Sequence, residues 1–136
     1  MTGKVSVAYL KSVKSSPIKV CRVSRSVKGL KVDEALKLLT FSKLKISPII
    51  SALIKSASTN AENNHNMDID NLYVKEINVG KSLVMKRFHT RGRGKSSRIL
   101  KTFSNIRVIL SENDIDIKKP IPAKSAKKEI RVEQKK

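Results

Sequence analysis

Two strand-like runs, residues 72–79 and 98–111, are separated by a stretch that constrains this chain more than any other. Residues 80–97 hold three glycines, six Lys or Arg and no acid, and the basic count reaches eight by Lys101. That connection is too long for a tight hairpin turn. An extended arm at about 72–111 is the solution: two strands run on past the globular part and reverse in a tip at about 85–95. A lone hairpin is marginal in water, so the arm needs a partner that clamps it. Its sequence, Met85-Lys86-Arg87-Phe88-His89-Thr90-Arg91-Gly92-Arg93-Gly94-Lys95-Ser96-Ser97-Arg98, says what kind of partner. Arg and Lys donate hydrogen bonds to phosphate, and glycine permits close backbone approach.

The rest of the chain reads as helices and one more strand. Val5, Val7, Tyr9 and Val13 fall on one side of a pleat, with Lys11 interrupting, which predicts a strand over residues 5–13 with that side apolar. Ser16-Pro17 has the form of a helix start, with serine at the N-cap and proline in the first turn. Val20, Val23 and Val27 make an apolar stripe behind it, and Gly29 stops it. Asp33 is placed to cap a second helix reaching Phe41, with Leu36, Leu39 and Leu38 as packing residues. Ser47-Pro48 repeats the start signal. Ile49, Ile50, Leu53, Ile54, Ala57 and Ala61 then form a broad apolar helical face, ended by Asn63-Asn64-His65-Asn66. In the last strand Ile106, Val108 and Leu110 share one face, with Arg107 and Ile109 on the other. The fold class expected is α+β: a small antiparallel three-stranded sheet packed with three helices, a long protruding β-hairpin and a basic C-terminal tail.

Residues 1–113 read as a single domain. From about residue 114 the composition shifts: residues 115–136 contain two prolines, eight Lys or Arg and three acids, with weak periodicity, and read as a disordered basic tail.

The full chain carries 30 Lys or Arg against 11 acids, a net +19 in 136 residues. Such an excess repels itself on compaction, and counterion release on phosphate neutralisation favours nucleic acid as the partner. Aromatic residues are 4% of the chain and Trp is absent, so contacts to phosphate, ribose and shape are expected rather than extensive base stacking. The single cysteine, Cys21, rules out an internal disulfide framework and a Cys-rich zinc site. No apolar run approaches a membrane span.

Chemistry-bearing motifs fail one by one. Gly94-Lys95-Ser96 and Gly80-Lys81-Ser82 end like phosphate-binding loops, but His89 and Lys75 stand where the first glycine belongs. His65, Asp68 and Asp70 lie in an Asn-rich turn without a third strong ligand type nearby. Cys21 is flanked by Lys19, Arg22 and Arg25, yet neither His65 nor His89 has a route to it, so a half-buried helix cysteine is expected. No nucleophile, base or metal constellation can be assembled, and neither catalytic residues nor a cofactor are expected. Arg25 lies three residues from both Arg22 and Lys28, a repulsive spacing that a bound anion would relieve.

Four stretches together resemble a known family. They are Ser16-Pro17-Ile18-Lys19-Val20, the run Gly29-Leu30-Lys31-Val32-Asp33-Glu34-Ala35-Leu36, and Ala57-Ser58-Thr59-Asn60-Ala61-Glu62-Asn63-Asn64. The fourth is Lys86, four residues, Arg91-Gly92-Arg93-Gly94-Lys95, nine residues, then Asn105-Ile106-Arg107-Val108-Ile109-Leu110. The chain resembles the bacterial-type large-subunit ribosomal protein L twenty-two over about residues 7–111. Two departures stand out: Cys21-Arg22 replaces an Arg-Leu pair, and Thr90 takes the place of a proline common at the bend.

The resemblance implies a structural constituent of the large ribosomal subunit that binds its RNA and supports assembly. Its hairpin tip would help line the exit tunnel for the nascent peptide. The RNA contacts expected are Ser16, Lys19, Arg22, Arg25, Lys28, Lys31 and Lys43 on the globular part. On the arm they are Lys81, Lys86, Arg87, Arg91, Arg93, Lys95, Arg98, Lys101 and Arg107. The tunnel tip would be Met85, Lys86, Arg87, Phe88, His89, Thr90 and Arg91. Partners are large-subunit ribosomal RNA, neighbouring ribosomal proteins and the nascent peptide. No homo-oligomer is expected, and the location is the cytoplasmic ribosome, with an organellar ribosome as the alternative. The competing function is an architectural DNA-binding protein with basic β-arms, in which Met85 or Phe88 would act as an apolar wedge.

Overall fold

The computed structural model describes residues 4–112, so the tail at 114–136 and the end of the 1–113 unit lie outside the described residues. The elements follow in the order β1 (Val5–Val13), α1 (Pro17–Val27), α2 (Val32–Phe41), α3 (Ser47–His65), a short 3-10 turn (Ile69–Asn71), β2 (Tyr73–Thr90) and β3 (Ser96–Ser111). The strands form one antiparallel sheet with β3 in the middle, order β1-β3-β2. The α+β expectation holds.

β3 is central because its sequence serves both neighbours. Ile106, Val108 and Leu110 are fully buried on the face covered by helices. In register they meet Leu10, Ala8 and Ser6 of β1 on one side and Val79, Ile77 and Val74 of β2 on the other. Residues opposite one another in an antiparallel pair share a face, so all nine belong to the core layer.

That register corrects the reading of β1. Ser6 and Ala8 point inward, while Val5 and Tyr9 are exposed and Val7 only half-buried. The reason is α3, which lies on this strand through Ala57 and Ala61, both fully buried. Ser6 Oγ donates to the Ala57 carbonyl at 2.8 Å, and Asn60 Nδ2 donates to the Val7 carbonyl at 3.3 Å. Backbones this close leave no room for two valines, and small residues take the inner positions. Only Val13 of the expected apolar side is buried. A register break between Leu10 and Val13, with Ser12 left-handed at φ 54°, turns it inward.

The helices follow their sequence signals with an adjustment at each start. α1 begins after Ser16, whose side chain makes no capping bond; it buries Val20, Val23 and Val27 and ends before Gly29 at φ 84°. Gly29 N–H then donates to the Val74 carbonyl at 2.8 Å, which ties the α1–α2 connection to the start of β2. α2 starts two residues earlier than a cap at Asp33 requires, with Lys31 at the N-cap, because Val32 is needed in the core; Asp33 lies in the first turn instead. Leu39 is buried and Leu36 packs at the core margin, but Leu38 is exposed. α3 starts one residue before a cap at Ser47 requires: Ile46 is its N-cap, and Ser47 is buried in the first turn, donating to Ser42 Oγ at 2.9 Å. Its buried apolar face is Ile50, Leu53, Ile54, Ala57 and Ala61, with Ile49 half-buried, and Asn66 closes the helix in the left-handed conformation at φ 48°.

Candidate nucleic-acid interface

β1 stops pairing at Ser104, the partner of Val13. Beyond that rung β2 and β3 have only each other. Their ladder continues from Val84–Thr102 to Thr90–Ser96, six steps that carry the arm about 20 Å from its root at ~3.4 Å per residue. At the root, Ser104 Oγ donates to the Ser15 carbonyl at 2.7 Å, and Ser12 N–H donates to Asn105 Oδ1 at 2.9 Å. Ser12 and Ser82 hydroxyls lie 3.3 Å apart across the register break between Lys81 and Val84. The arm thus leaves the head through a bulge tied down by short polar side chains. No periodicity marks these residues, and the sequence reading did not single them out.

The bend occupies residues 91–95. Arg91 N–H donates to the Lys95 carbonyl at 2.8 Å, and Arg93 and Gly94 are both left-handed, at φ 57° and 67°. Met85 to Thr90 of the expected tip are therefore strand residues on the rungs leading to the bend. Thr90, where a proline is common, pairs with Ser96.

Cross-strand pairing sorts the arm into two faces. Lys86 faces Leu100 and Phe88 faces Arg98 on one; Met85 faces Lys101 and Arg87 faces Ile99 on the other. Each face therefore carries both cations and apolar side chains. Lys81, Lys86, Arg87, Arg91, Arg93, Lys95, Arg98 and Lys101 are exposed along the arm and at its root; Arg107 is exposed too, but lies in the three-stranded part of the sheet between Tyr9 and Asn78, and no acid occurs in residues 77–111. Little on the arm restrains these side chains: Arg87 reaches only the Lys86 carbonyl and Met85 Sδ, and Arg91 Nε lies 3.4 Å from Ser97 Oγ.

On the head, Lys19, Arg22, Arg25, Lys28, Lys31 and Lys43 are exposed and Ser16 half-buried. Ser15, just before α1, is bonded to the arm root, so the start of this helix, with Ser16 and Lys19 in its first residues, begins beside it. Exposed Lys14 belongs to this corner and was not anticipated. Lys31 is set apart, over the Tyr73 ring at 5.6 Å, and Lys43 lies on the α2–α3 connection.

Cys21 is half-buried on α1. No group of three His, Cys, Asp or Glu able to hold a metal occurs among the described residues. The open groove between β1 and α3, lined by Tyr9, Pro48, Ile49 and Ser56 among others, offers no carboxylate, histidine or thiol. No helix among the described residues is long and apolar enough to cross a membrane.

A one-sided α+β head whose middle strand runs out into an acid-free cationic arm defines a small basic protein with a projecting β-hairpin. Comparison with known proteins makes the class specific. Residues 8–111 match the family described as Ribosomal protein L22p/L17e. The chain is 50% identical over 109 residues to Large ribosomal subunit protein uL22 of Rhizorhabdus wittichii, covering 80% of this chain and 86% of that protein. The protein of the same name from Phenylobacterium zucineum is 47% identical over 112 residues, 82% of this chain and 89% of its own length. That of Bartonella henselae is 48% identical over 105 residues, 77% and 81% respectively. The chain belongs to this family of large-subunit ribosomal proteins, and its role is that of a structural ribosomal constituent.

Proposed function

We propose that the chain binds large-subunit ribosomal RNA chiefly through the β2–β3 arm. The head packs against further RNA and neighbouring ribosomal proteins on the ribosome, and the bend at residues 91–95 lies beside the path of the nascent peptide. The observation that carries this is the pairing pattern past Ser104: strands with no third partner, exposed cations on both faces and no acid to neutralise them. A ribbon of this kind suits a channel walled by phosphates on either side. Each lysine or arginine that meets a phosphate releases a counterion. The left-handed pair Arg93-Gly94 narrows the end of the ribbon. Lys19 and Ser16 at the arm root extend the same surface onto α1, whose uncapped N–H groups add a positive end. The tunnel placement rests on the family resemblance. Residues 1–113 act as one unit in this proposal.

Filter binding of the full chain to an in vitro transcript of bacterial large-subunit ribosomal RNA tests it. The logarithm of affinity falls against the logarithm of salt with a slope steeper than about −4, as expected when five or more phosphates are neutralised. A nearly flat salt response, or equal affinity for a DNA duplex of the same length, overturns the phosphate-clamped ribosomal reading.

A further inference from the structure

Phe41 is the most exposed large apolar side chain among the described residues, at 85%. It is the last residue of α2, a helix held in place by buried Val32, Ala35 and Leu39, so its ring stands on a rigid support. Leu38, one turn back, and Leu44, on the following connection, are also exposed. Lys37, Lys43 and Lys45, all exposed, lie next to them along the chain; residues 35–61 contain no acid, and the nearest one before them, exposed Glu34, stands one helical turn before Leu38. This corner lies on a different segment of the chain from the arm, and of its residues only Lys43 figures in the interface described above.

We infer that the α2–α3 corner is a second RNA site, in which Phe41 takes the face of an unpaired or bulged base while Lys37, Lys43 and Lys45 hold the flanking phosphates. The inference rests on the RNA-binding reading and deepens it. An aromatic ring among cations is the arrangement that receives splayed-out bases, and stacking accepts any base because each has a π-face. A protein partner fits less well, since lysine is depleted from protein–protein interfaces, and here three exposed lysines alternate along the chain with three exposed apolar side chains. Phe41 contributes almost nothing to the core, so its substitution reports on binding without disturbing the fold.

The test uses the full chain and the ribosomal RNA transcript. Phe41→Ala weakens binding roughly five- to a hundredfold, the range for loss of one base stack, with the melting temperature and the salt slope unchanged. Phe41→Trp restores the affinity. Lys43→Ala with Lys45→Ala instead shallows the salt slope by about one to two units. A transcript carrying 4-thiouridine cross-links on irradiation to the peptide containing Phe41. Parental affinity of Phe41→Ala, alongside a weakened arm variant, overturns this site and leaves the RNA-binding reading standing. So does a Phe41→Trp variant as weak as the alanine one, or cross-linking confined to other peptides. Absence of salt-dependent binding by the parent chain overturns both.

Discussion

Alanine at Lys86, Arg87, Arg91 and Arg93 together lowers affinity for large-subunit ribosomal RNA on the order of a thousandfold near 0.1 M salt, while the melting temperature stays within about 2 °C of the parent. The first half follows from counterion release. Four phosphate contacts at roughly 0.7–0.9 each remove about three units from the salt slope, which is three decades of affinity between 1 M and 0.1 M salt. The second half follows from the fold. All four side chains are exposed and lie past Ser104, where β1 no longer pairs, so none touches the core made by the three helices and the inner sheet face. Relieving their mutual repulsion slightly favours the ladder, if anything. Filter binding across a salt series and a thermal melt monitored by circular dichroism read the two halves separately. A variant that melts far below the parent contradicts this division between arm and head.

Ile54→Ala gives the opposite phenotype. Ile54 is fully buried on α3, the helix that contacts β1, α2 and β3. Truncation removes buried methylenes and leaves a cavity beneath the sheet, at a cost of about 3 kcal/mol within the usual ~2–5. For a domain of this size the melting temperature falls by roughly 12–20 °C. The molecules that remain folded keep the parental salt slope, because the exposed cations of the arm are untouched. Denaturant titration measures the first effect and RNA binding well below the melting point the second. A loss under about 1 kcal/mol would show the α3–sheet contact to be looser than its burial indicates.

The helices were legible because their signals are local. Ser16-Pro17, Gly29 and the Val20–Val23–Val27 spacing bound and orient α1 without reference to anything distant, and the apolar face of α3 repeats too regularly to fit a strand. β3 was legible for a similar reason, through the alternation Ile106, Val108, Leu110. The arm was read from length and charge: an acid-free connection too long to turn and too polar to bury has few ways to fold.

What escaped was decided by contacts between distant segments. In β1, valines and a tyrosine occupy one side and Ser6 and Ala8 the other, so hydrophobicity alone picks the wrong face. The choice is made by α3, more than fifty residues away along the chain, whose Ala57 carbonyl accepts from Ser6. The bulges after Val74 and Lys81 are properties of pairing with β3 and leave no mark on one strand's pattern. Locating the bend within residues 91–95 required the left-handed geometry of Arg93 beside Gly94. In the sequence Phe41 reads only as the end of a helix, and its exposure alone shows it as a candidate contact.

The most direct test of the ribosomal role is sedimentation of a lysate from cells expressing the full chain through a sucrose gradient, with the chain followed by antibody. Co-migration with the large subunit that survives a high-salt wash, and is lost for the four-alanine arm variant, is the predicted result. A parent chain that remains at the top of the gradient, or travels with chromosomal DNA, would contradict the role assigned to the arm and the ribosomal reading with it.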